Sequence, residues 1–282
     1  MRDIRTMLNA VEDLPTVPEV VTVLNRQISD PSSSASDINT TLSRDAALSA
    51  TILRLVNSPF YGFARRITSV THAVVILGYS AVRSLALSAF VFESVGRNGA
   101  SALDVKELWR HALGAAVAGR TAARHLRIRQ DEDAFVGGLL HDLGKVVMNQ
   151  YFTTAAKAVA AEVKASDCLF REAEAKVIDY DHASLGGGLA ERWNLPGILV
   201  GAIACHHAPA SAPEACRTLA GLVHVADILA RTLLVGSGGD RQIPELSPEV
   251  CEALGLKPES MEPLLRETAV EIEKAADFFT LI

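Results

Sequence analysis

Apolar residues recur every three or four positions through almost the whole chain, which is the spacing of amphipathic helices. Strict alternation of apolar and polar residues, the pattern of a half-buried strand, is not evident, and neither are hairpin turns of the Asn-Gly type. The pattern therefore predicts an all-α fold, a bundle of many helices.

Local breaks divide this pattern in the first third of the chain. Pro15-Thr-Val-Pro18 precedes an amphipathic helix, and Ser32-Ser-Ser34 is a polar break after it. Proline disfavours helix in the residue before it, so we expect the next helix to end near Asn57-Ser58-Pro59. Gly78 is expected to terminate the helix that follows.

Further breaks organise the rest of the chain. The stretch Gly96-Arg-Asn-Gly-Ala-Ser101 predicts a boundary between an N-terminal helical subdomain, residues 1–98, and a second subdomain, residues 99–282. Val235-Gly-Ser-Gly-Gly-Asp240 reads as a flexible loop, and Ser247-Pro248 opens a short helix. A longer C-terminal helix is predicted from Ser260 to Phe279.

Composition and charge narrow the classes of function. The net charge is −6, with no run rich in Lys or Arg, which argues against nucleic acid as a partner. The longest apolar run, Leu85 to Phe92, is far shorter than the roughly 20 residues that span a bilayer, so no membrane segment is expected. Four scattered cysteines predict free thiols and a cytoplasmic protein.

The segment from Leu139 to Val147 contains the residues that most clearly indicate a functional site. On a single helix its aliphatic residues fall on one arc, while His141, Asp142 and Lys145 share the opposite arc. An imidazole, a carboxylate and an ammonium would then face the same place. Such a face is more specific than a merely solvated one, although Lys145 alone is equally compatible with an exposed surface position.

Other histidines and acidic residues extend this constellation. They are His111, which lies four residues after Glu107, His182, the pair His206-His207, and Asp227 in an otherwise apolar helix. A mixture of imidazole and carboxylate is typical of sites for divalent transition metals.

Each of these residues also has a simpler interpretation. Asp227 is compatible with a buried ion pair to Arg231, and Glu107 with a solvated position near Arg110. His72 and His125 read as surface or core histidines without a site, and His224 as a residue that supports ligands.

The joint pattern resembles a known superfamily. His111, His141-Asp142, His182, His206-His207 and Asp227 recur in the order and approximate spacing of the HD superfamily of metal-dependent phosphohydrolases, and more closely of its HD-GYP branch. The pair His206-His207 continues as Ala-Pro, however, so the Gly-Tyr-Pro signature of HD-GYP phosphodiesterases is missing.

Segments outside the ligands resemble the HDOD family, whose members are mostly bacterial signalling modules. The similar segments are Leu14-Pro15-Thr-Val-Pro18, Leu55-Val-Asn-Ser-Pro-Phe-Tyr-Gly62, Ile76-Leu-Gly78, Asp181-His-Ala-Ser-Leu-Gly186 and Trp193-Asn-Leu-Pro196. This resemblance covers nearly the whole chain and implies an HD-domain-like helical bundle.

The resemblance also implies a ligand set for two divalent transition-metal ions, with iron or manganese ahead of zinc. One ion would be held by His111, His141, Asp142 and Asp227. The second would take His182, His206 and His207, with Asp142 bridging the two. Glu107 matches an additional acidic ligand of some HD-GYP enzymes, which makes a third ion conceivable.

Three functions remain open from sequence. The first is an HDOD-type signalling module, acting on a signalling protein or a nucleotide-like ligand, whose metals stiffen the core or bind a ligand. The second is a metal-dependent phosphodiesterase, with a cyclic dinucleotide as one candidate substrate, Asp142 and Lys145 as catalytic residues and Lys145 stabilising charge on the phosphate. The third is redox chemistry at a di-iron centre.

Overall fold

The computed structural model describes residues 3–11, 14, 19–29, 33–42, 45–94 and 102–280, and within them every regular element is a helix. The all-α prediction is confirmed. The first six helices are α1 (Ile4–Asn9), α2 (Glu19–Ser29), α3 (Ala35–Leu42), α4 (Ala46–Val56), α5 (Val70–Leu77) and α6 (Tyr79–Ser94).

The remaining helices form the larger part of the molecule. They are α7 (Val105–His125), α8 (Asp131–Leu140), α9 (Leu143–Tyr151), α10 (Thr153–Ser166), α11 (Phe170–Val177), α12 (His182–Arg192), α13 (Gly197–Cys205), α14 (Glu214–Thr232), α15 (Pro248–Leu254), α16 (Pro258–Lys274) and α17 (Ala276–Phe279), with a short 3₁₀ turn at Pro209–Ser211.

Several predicted helix boundaries are confirmed. Helix α4 ends at Val56, and α5 ends at Leu77, where Gly78 has a φ of +84°. Helix α15 begins at Pro248, with the Ser247 side chain accepting from a backbone N–H of the first turn. The predicted C-terminal helix is two helices, α16 and α17, separated at Ala275.

Two expectations fall on residues that are not described. Pro15 to Pro18, and the proposed boundary at Gly96 to Ser101, lie outside the described residues. The division into residues 1–98 and 99–282 therefore stays a prediction. The described parts of both halves nevertheless share one continuous cluster of buried apolar residues.

Helices α7 and α8 form the centre of the larger half and approach each other closely. A Cβ added to Gly138 on α8 would lie 2.6 Å from the carbonyl carbon of Ala115 on α7, so only glycine permits this contact. The close packing fixes the end of α8 against the first half of α7. Those two places carry His141 and His111.

Polar and aromatic contacts join the first six helices to this centre. Arg83 on α6 pairs with Asp133 on α8 at 2.5 Å. The Arg120 guanidinium on α7 stacks over Phe60 and Tyr61, at 4.5 and 4.8 Å from the ring centroids. The first contact joins α6 to α8, and the second joins the loop after α4 to α7. Helices α7 and α8 position His111 and His141.

Two further expectations concern the whole chain. None of the helices in the described ranges combines the length and apolar character needed to cross a membrane. The four cysteines are free thiols, as predicted.

Candidate metal centre

His141 and Asp142 lie in a break between two helices. Helix α8 ends at Leu140 and α9 begins at Leu143, so the predicted single helix from Leu139 to Val147 is wrong. His141 Nδ1 lies 2.7 Å from the Gly138 carbonyl oxygen, a side-chain to backbone hydrogen bond of the kind that competes with helix continuation. The turn leaves the Nε2 face of the His141 ring directed at the cluster.

Three residues from three elements form what we call the inner group: His111 of α7, His141 and Asp227 of α14. Each is at most 2% exposed. Asp227 Oδ1 lies 3.0 Å from His111 Nε2 and 3.8 Å from His141 Nε2. The three ligand atoms are therefore close enough to bind one ion.

Three histidines form the outer group: His182 at the start of α12, and His206 and His207 just after α13. The Nε2 atoms of His182 and His207 are 2.9 Å apart. His182 and His206 are fully buried, whereas His207 is partly exposed. The outer group thus reaches the surface at His207.

Asp142 lies between these two groups. Its Oδ2 atom is 3.4 Å from His141 Nε2 and 3.8 Å from His111 Nε2, while its Oδ1 atom is 3.3 Å from His182 Nε2. It also forms a third potential ligand group with His141 and His206. All seven residues predicted as ligands are therefore brought together.

Several buried atoms of this cluster make no hydrogen bond of good geometry with a described residue, although His111 Nε2 lies 3.0 Å from Asp227 Oδ1 and Asp142 Oδ1 lies 3.3 Å from His182 Nε2. They are Nδ1 and Nε2 of His111, Nε2 of His141, Oδ1 of Asp142 and Nε2 of His206. Leaving such an atom unpaired costs about 1–3 kcal/mol. Because most of them face one another and are typical ligands of divalent transition metals, the residues present fit such ions.

Glu174 on α11 holds His182 in place and was missed by the sequence interpretation. Its Oε2 atom lies 2.7 Å from His182 Nδ1, and Oε1 accepts from the His182 backbone N–H at 2.9 Å. Burial alone would lower the pKa of His182, but the Glu174 carboxylate outweighs it, with help from Asp142, and raises that pKa to about 9. The sequence offers a weak signal for this role: Glu174 lies four residues after Phe170, on the helix face that an apolar residue would bury.

Arg231 balances the charge of Asp227. Its Nε atom donates to Asp227 Oδ1 at 2.7 Å, and Nη1 donates to Asp240 at 2.7 Å. Burial would raise the pKa of Asp227, yet Arg231 and the nearby histidines hold it well below its usual range. The proposed Asp227–Arg231 ion pair is confirmed, and it coexists with the cluster. Asp240 was not predicted.

Lys145 balances Asp142 in the same way. Its ammonium is completely buried, so the exposed alternative is wrong, and it donates to Asp142 Oδ2 at 2.9 Å and to the Gly238 carbonyl at 2.8 Å. Burial would raise the pKa of Asp142, but His141 and Lys145 hold it well below its usual range. The predicted proximity of Lys145 to the centre is thus confirmed.

The glycine-rich segment from Val235 to Asp240 is part of this support. Gly236 has a φ of +64° and its backbone packs directly on the His111 N–H and the Glu107 carbonyl. The Ser237 N–H donates to that carbonyl at 3.0 Å. The segment is a loop, as predicted, but its backbone is hydrogen-bonded to both α7 and Lys145.

Helices α9 and α12 meet at Gly144, beside the centre. A Cβ added there would collide with the His182 carbonyl oxygen and lie 2.7 Å from its carbonyl carbon. Glycine at this position lets the two helices touch. That contact brings Asp142 against His182.

The remaining candidates lie outside the cluster. Glu107 is 42% exposed and faces Arg110 at 3.5 Å, so it does not fit the role of an extra ligand. His72 is exposed, while His125 pairs with Glu267 at 2.9 Å, a partner that the sequence did not suggest. His224 Nδ1 lies 3.0 Å from the His206 carbonyl oxygen, a position that fits its predicted supporting role.

A surface cleft of about 670 Å³ opens beside the outer group. His207 forms part of its wall, together with Arg171, Tyr180, Asp181 and Cys205. Burial lowers the pKa of His207 well below its usual value, and His206 and His182 add to this effect. The cleft therefore meets the cluster at a neutral imidazole.

Comparison with known families identifies the chain. The model of the HDOD domain matches residues 14–209, which is more than half of the sequence. The chain belongs to the HDOD family. The match ends before Asp227 of the inner group and before Arg231, its ion-pair partner, so both residues lie beyond it.

Relatives of this HDOD protein include an uncharacterized protein of Treponema pallidum (strain Nichols). The two are 31% identical over 248 residues, which is 85% of this chain and 46% of the relative. The HDOD chain thus spans about half the length of that relative.

Solved structures share the fold over nearly the whole chain. An HDOD domain protein of unknown function from Geobacter sulfurreducens is 25% identical, with a TM-score of 0.78, over 99% of this chain and 97% of the other. A protein of Shewanella amazonensis SB2B provisionally described as a phosphohydrolase is 24% identical, with a TM-score of 0.75, over 98% and 97%. A Marinobacter aquaeolei VT8 protein provisionally described as a signal transduction protein is 22% identical, with a TM-score of 0.76, over 100% and 61%. The last two likenesses concern the fold alone.

Proposed function

We propose that this HDOD protein is a regulatory module of signal transduction whose core holds two divalent transition-metal ions. The observation that carries the proposal is the set of buried ring nitrogens and one carboxylate oxygen, on His111, His141, Asp142 and His206, that face one another without a hydrogen bond of good geometry. Burying so many polar atoms without partners is costly, and metal ions would satisfy them together.

The two groups divide the ligands between the ions. His111, His141, Asp142 and Asp227 would hold one ion. The other would take His182, His206 and His207, and Asp142 would be shared. A mixture of imidazole and carboxylate ligands favours iron or manganese, whereas closed structural zinc sites are richer in thiolates.

A regulatory role is supported by how the charged groups around the cluster are used. Lys145 and Arg231 are both directed at carboxylates within the core, at 2.9 and 2.7 Å. Six of the seven ligands are at most 3% exposed. Since neither cation faces the cleft, the core is better suited to holding a conformation for a signalling protein or a nucleotide-like ligand than to turnover.

A second candidate function, metal-dependent phosphodiester hydrolysis, is favoured by the cleft at His207. When bound, a pair of such ions supplies the charge that activates water and polarises a phosphoryl oxygen. Arg171 in the cleft wall would bind the phosphate. Lys145 would keep Asp142 ionised and oriented, which is a positioning role. The predicted catalytic roles of Lys145 and Asp142 stay predictions.

Elemental analysis of the purified protein tests the metal centre. We expect two ions of iron or manganese per chain in the natural protein and loss of both in Asp142→Asn, which removes one charge and almost no volume. Glu107→Gln is the matched control, because that carboxylate lies near His111 but faces Arg110. A metal-free protein from cells rich in iron and manganese would contradict the proposal.

A hydrolysis assay separates the two functions. The metal-loaded protein is incubated with bis(p-nitrophenyl) phosphate and with cyclic dinucleotides. Cleavage that is lost in Asp142→Asn and retained in Glu107→Gln would establish the phosphodiesterase. A fully loaded protein that cleaves neither substrate supports the regulatory module.

A further inference from the structure

A second cleft lies in the N-terminal half, at residues that are distant in sequence from the predicted metal ligands. It has a volume of about 910 Å³ and lies between the end of α4 and the segment that leads into α5. Its walls are formed by Ala50, Leu53, Arg54, Asn57, Phe63, Arg66, Ile67 and Thr68. The volume is in the range of small-molecule sites.

The charge of this cleft is uncompensated. Arg54 and Arg66 are both exposed, and no acidic side chain is among the lining residues. Neither guanidinium forms an ion pair or hydrogen bond with another described residue, unlike Arg83 and Arg120, which face carboxylates. Two guanidinium groups without a described partner, one on α4 and one on the segment before α5, form a local site for an anion in a chain of net charge −6.

The two walls are fixed to each other by Asn57. Its amide nitrogen donates to the carbonyls of Leu53 and Ile67, at 2.6 and 2.8 Å, and its Oδ1 accepts from the Ile67 N–H at 2.7 Å. Ile67 itself is only 2% exposed. The segment carrying Arg66 is therefore anchored to the helix carrying Arg54, which reduces the ordering that a ligand would have to impose.

The apolar part of the cleft offers an aromatic surface. The Phe63 ring lies parallel to the Tyr61 ring, at 3° and 6.4 Å between centroids, and Tyr61 is in turn covered by Arg120 at 4.8 Å. Phe63 thus lines the same cleft as the two arginines, with its ring parallel to that of Tyr61. Thr68 adds a hydroxyl group to the same wall.

We propose that this cleft binds a small phosphate-bearing nucleotide. Arg54 and Arg66 receive the phosphate, since guanidinium groups form paired, charge-assisted hydrogen bonds with phosphate oxygens. Phe63 supplies a stacking surface for the base. Two arginines line this cleft, which suits the few phosphate charges of a free nucleotide, whereas a nucleic-acid strand is bound through a longer series of phosphate contacts.

Calorimetric titration of the purified chain tests the proposal. The probes are AMP, GMP, ATP and GTP, with inorganic phosphate and the nucleosides adenosine and guanosine as partial ligands. We expect at least one nucleotide to bind about tenfold or more tightly than phosphate or its nucleoside, because both parts of the cleft then contribute.

Variants locate the binding. Arg54→Ala and Arg66→Ala should each weaken nucleotide binding by about tenfold or more. Arg65→Ala is the matched control, because Arg65 is exposed and adjacent but does not line the cleft. All three residues are on the surface, so unchanged thermal melting shows that the variants fold.

Each other outcome overturns the proposal. Absence of binding by all four nucleotides excludes the site. Binding that survives in the Arg54→Ala/Arg66→Ala double variant places the ligand elsewhere. Phosphate that binds as tightly as the nucleotides removes the role of Phe63, and binding confined to oligonucleotides would make the cleft part of a nucleic-acid surface.

Discussion

The inner and outer groups contain similar ligands in opposite electrostatic settings. The carboxylates of Asp227, in the inner group, and of Asp142, beside it, face two buried cations, Arg231 and Lys145. The outer group has three imidazoles and no carboxylate of its own, with Glu174 behind His182. One region is balanced by fixed charges, whereas the other depends on a bound proton or ion.

This difference shows which part of the centre is prebuilt. The inner carboxylates keep their charge and position through ion pairs that the chain itself supplies. In the outer group, the 2.9 Å separation of the His182 and His207 Nε2 atoms requires a proton between them when no ion is bound. We infer that the inner group resists removal of metal and that the outer group, which reaches the cleft, exchanges it.

The largest expected effect follows from breaking the inner balance. Lys145→Met should lower the free energy of unfolding of chelator-treated protein by about 3–5 kcal/mol, because Asp142 is left buried without its ammonium partner. Lys176→Met is the matched control, since Lys176 is 52% exposed and pairs with Glu162 at the surface. That change should cost less than about 1 kcal/mol.

Urea unfolding with and without added manganese measures both variants. Added metal should restore part of the stability of Lys145→Met, because a divalent ion beside Asp142 compensates the same charge. If the stability of Lys145→Met equals that of the natural protein, the ammonium does not support the core and a direct catalytic role becomes the better account.

A smaller effect is expected from pH, and it arises in the outer group. The pKa of His182 is about 9 in the folded, metal-free protein and about 6.5 when unfolded. Between these values only the folded chain binds the proton. The contribution of His182 to the free energy of unfolding is therefore fully present below pH 6.5 and is lost as the pH rises to 9. The loss is at most roughly 3 kcal/mol.

Chemical unfolding of chelator-treated protein at pH 6.5 and pH 9 measures this slope. Metal-loaded protein should lack it, because a metal ion then replaces the proton on His182. A chelator-treated protein that becomes more stable over this interval would show that Glu174 does not hold a charged His182.

Much of this centre was predictable from sequence. The resemblance to the HD superfamily implied all seven clustered residues, and the spacing of Asp142 and Lys145 placed these two side chains together. Pro59 and Gly78 marked the ends of α4 and α5. The helix ends and the position of Lys145 depend on signals within a few residues, whereas the ligand set depends on a pattern that runs from His111 to Asp227.

The supporting residues were not predictable in the same way. Glu174 and Asp240 act on His182 and Arg231 through tertiary contacts, and acidic residues in those segments look solvated in the local pattern. The break at His141 was missed because the apolar period continues across it. The loop around Gly238 was read from composition, which does not record that its carbonyl accepts from Lys145.

Breaking the support of the outer group gives the next prediction. Glu174→Gln keeps the size and a hydrogen bond to His182 but removes the charge. We expect the affinity of the outer group for metal to fall about 10–100-fold, as for other residues that orient a ligating histidine. Competition with a chelator measures the affinity, and Glu172→Gln, on the exposed face of the same helix, serves as control. Equal affinities in the two variants would remove Glu174 from the site.

The smallest effect on stability, and the sharpest separation of the two groups, is expected for His207→Ala. His207 is partly exposed and pairs with no carboxylate, so truncation loses mainly its hydrogen bond to His182 and should lower the free energy of unfolding by about 1–2 kcal/mol. The variant should nevertheless lose about half of its metal, because only the outer group depends on this imidazole. Elemental analysis beside His72→Ala, an exposed histidine outside the cluster, measures the loss. If both ions leave together, Asp142 couples the groups too tightly for one to exchange alone, and the inner group is not an independent, prebuilt site.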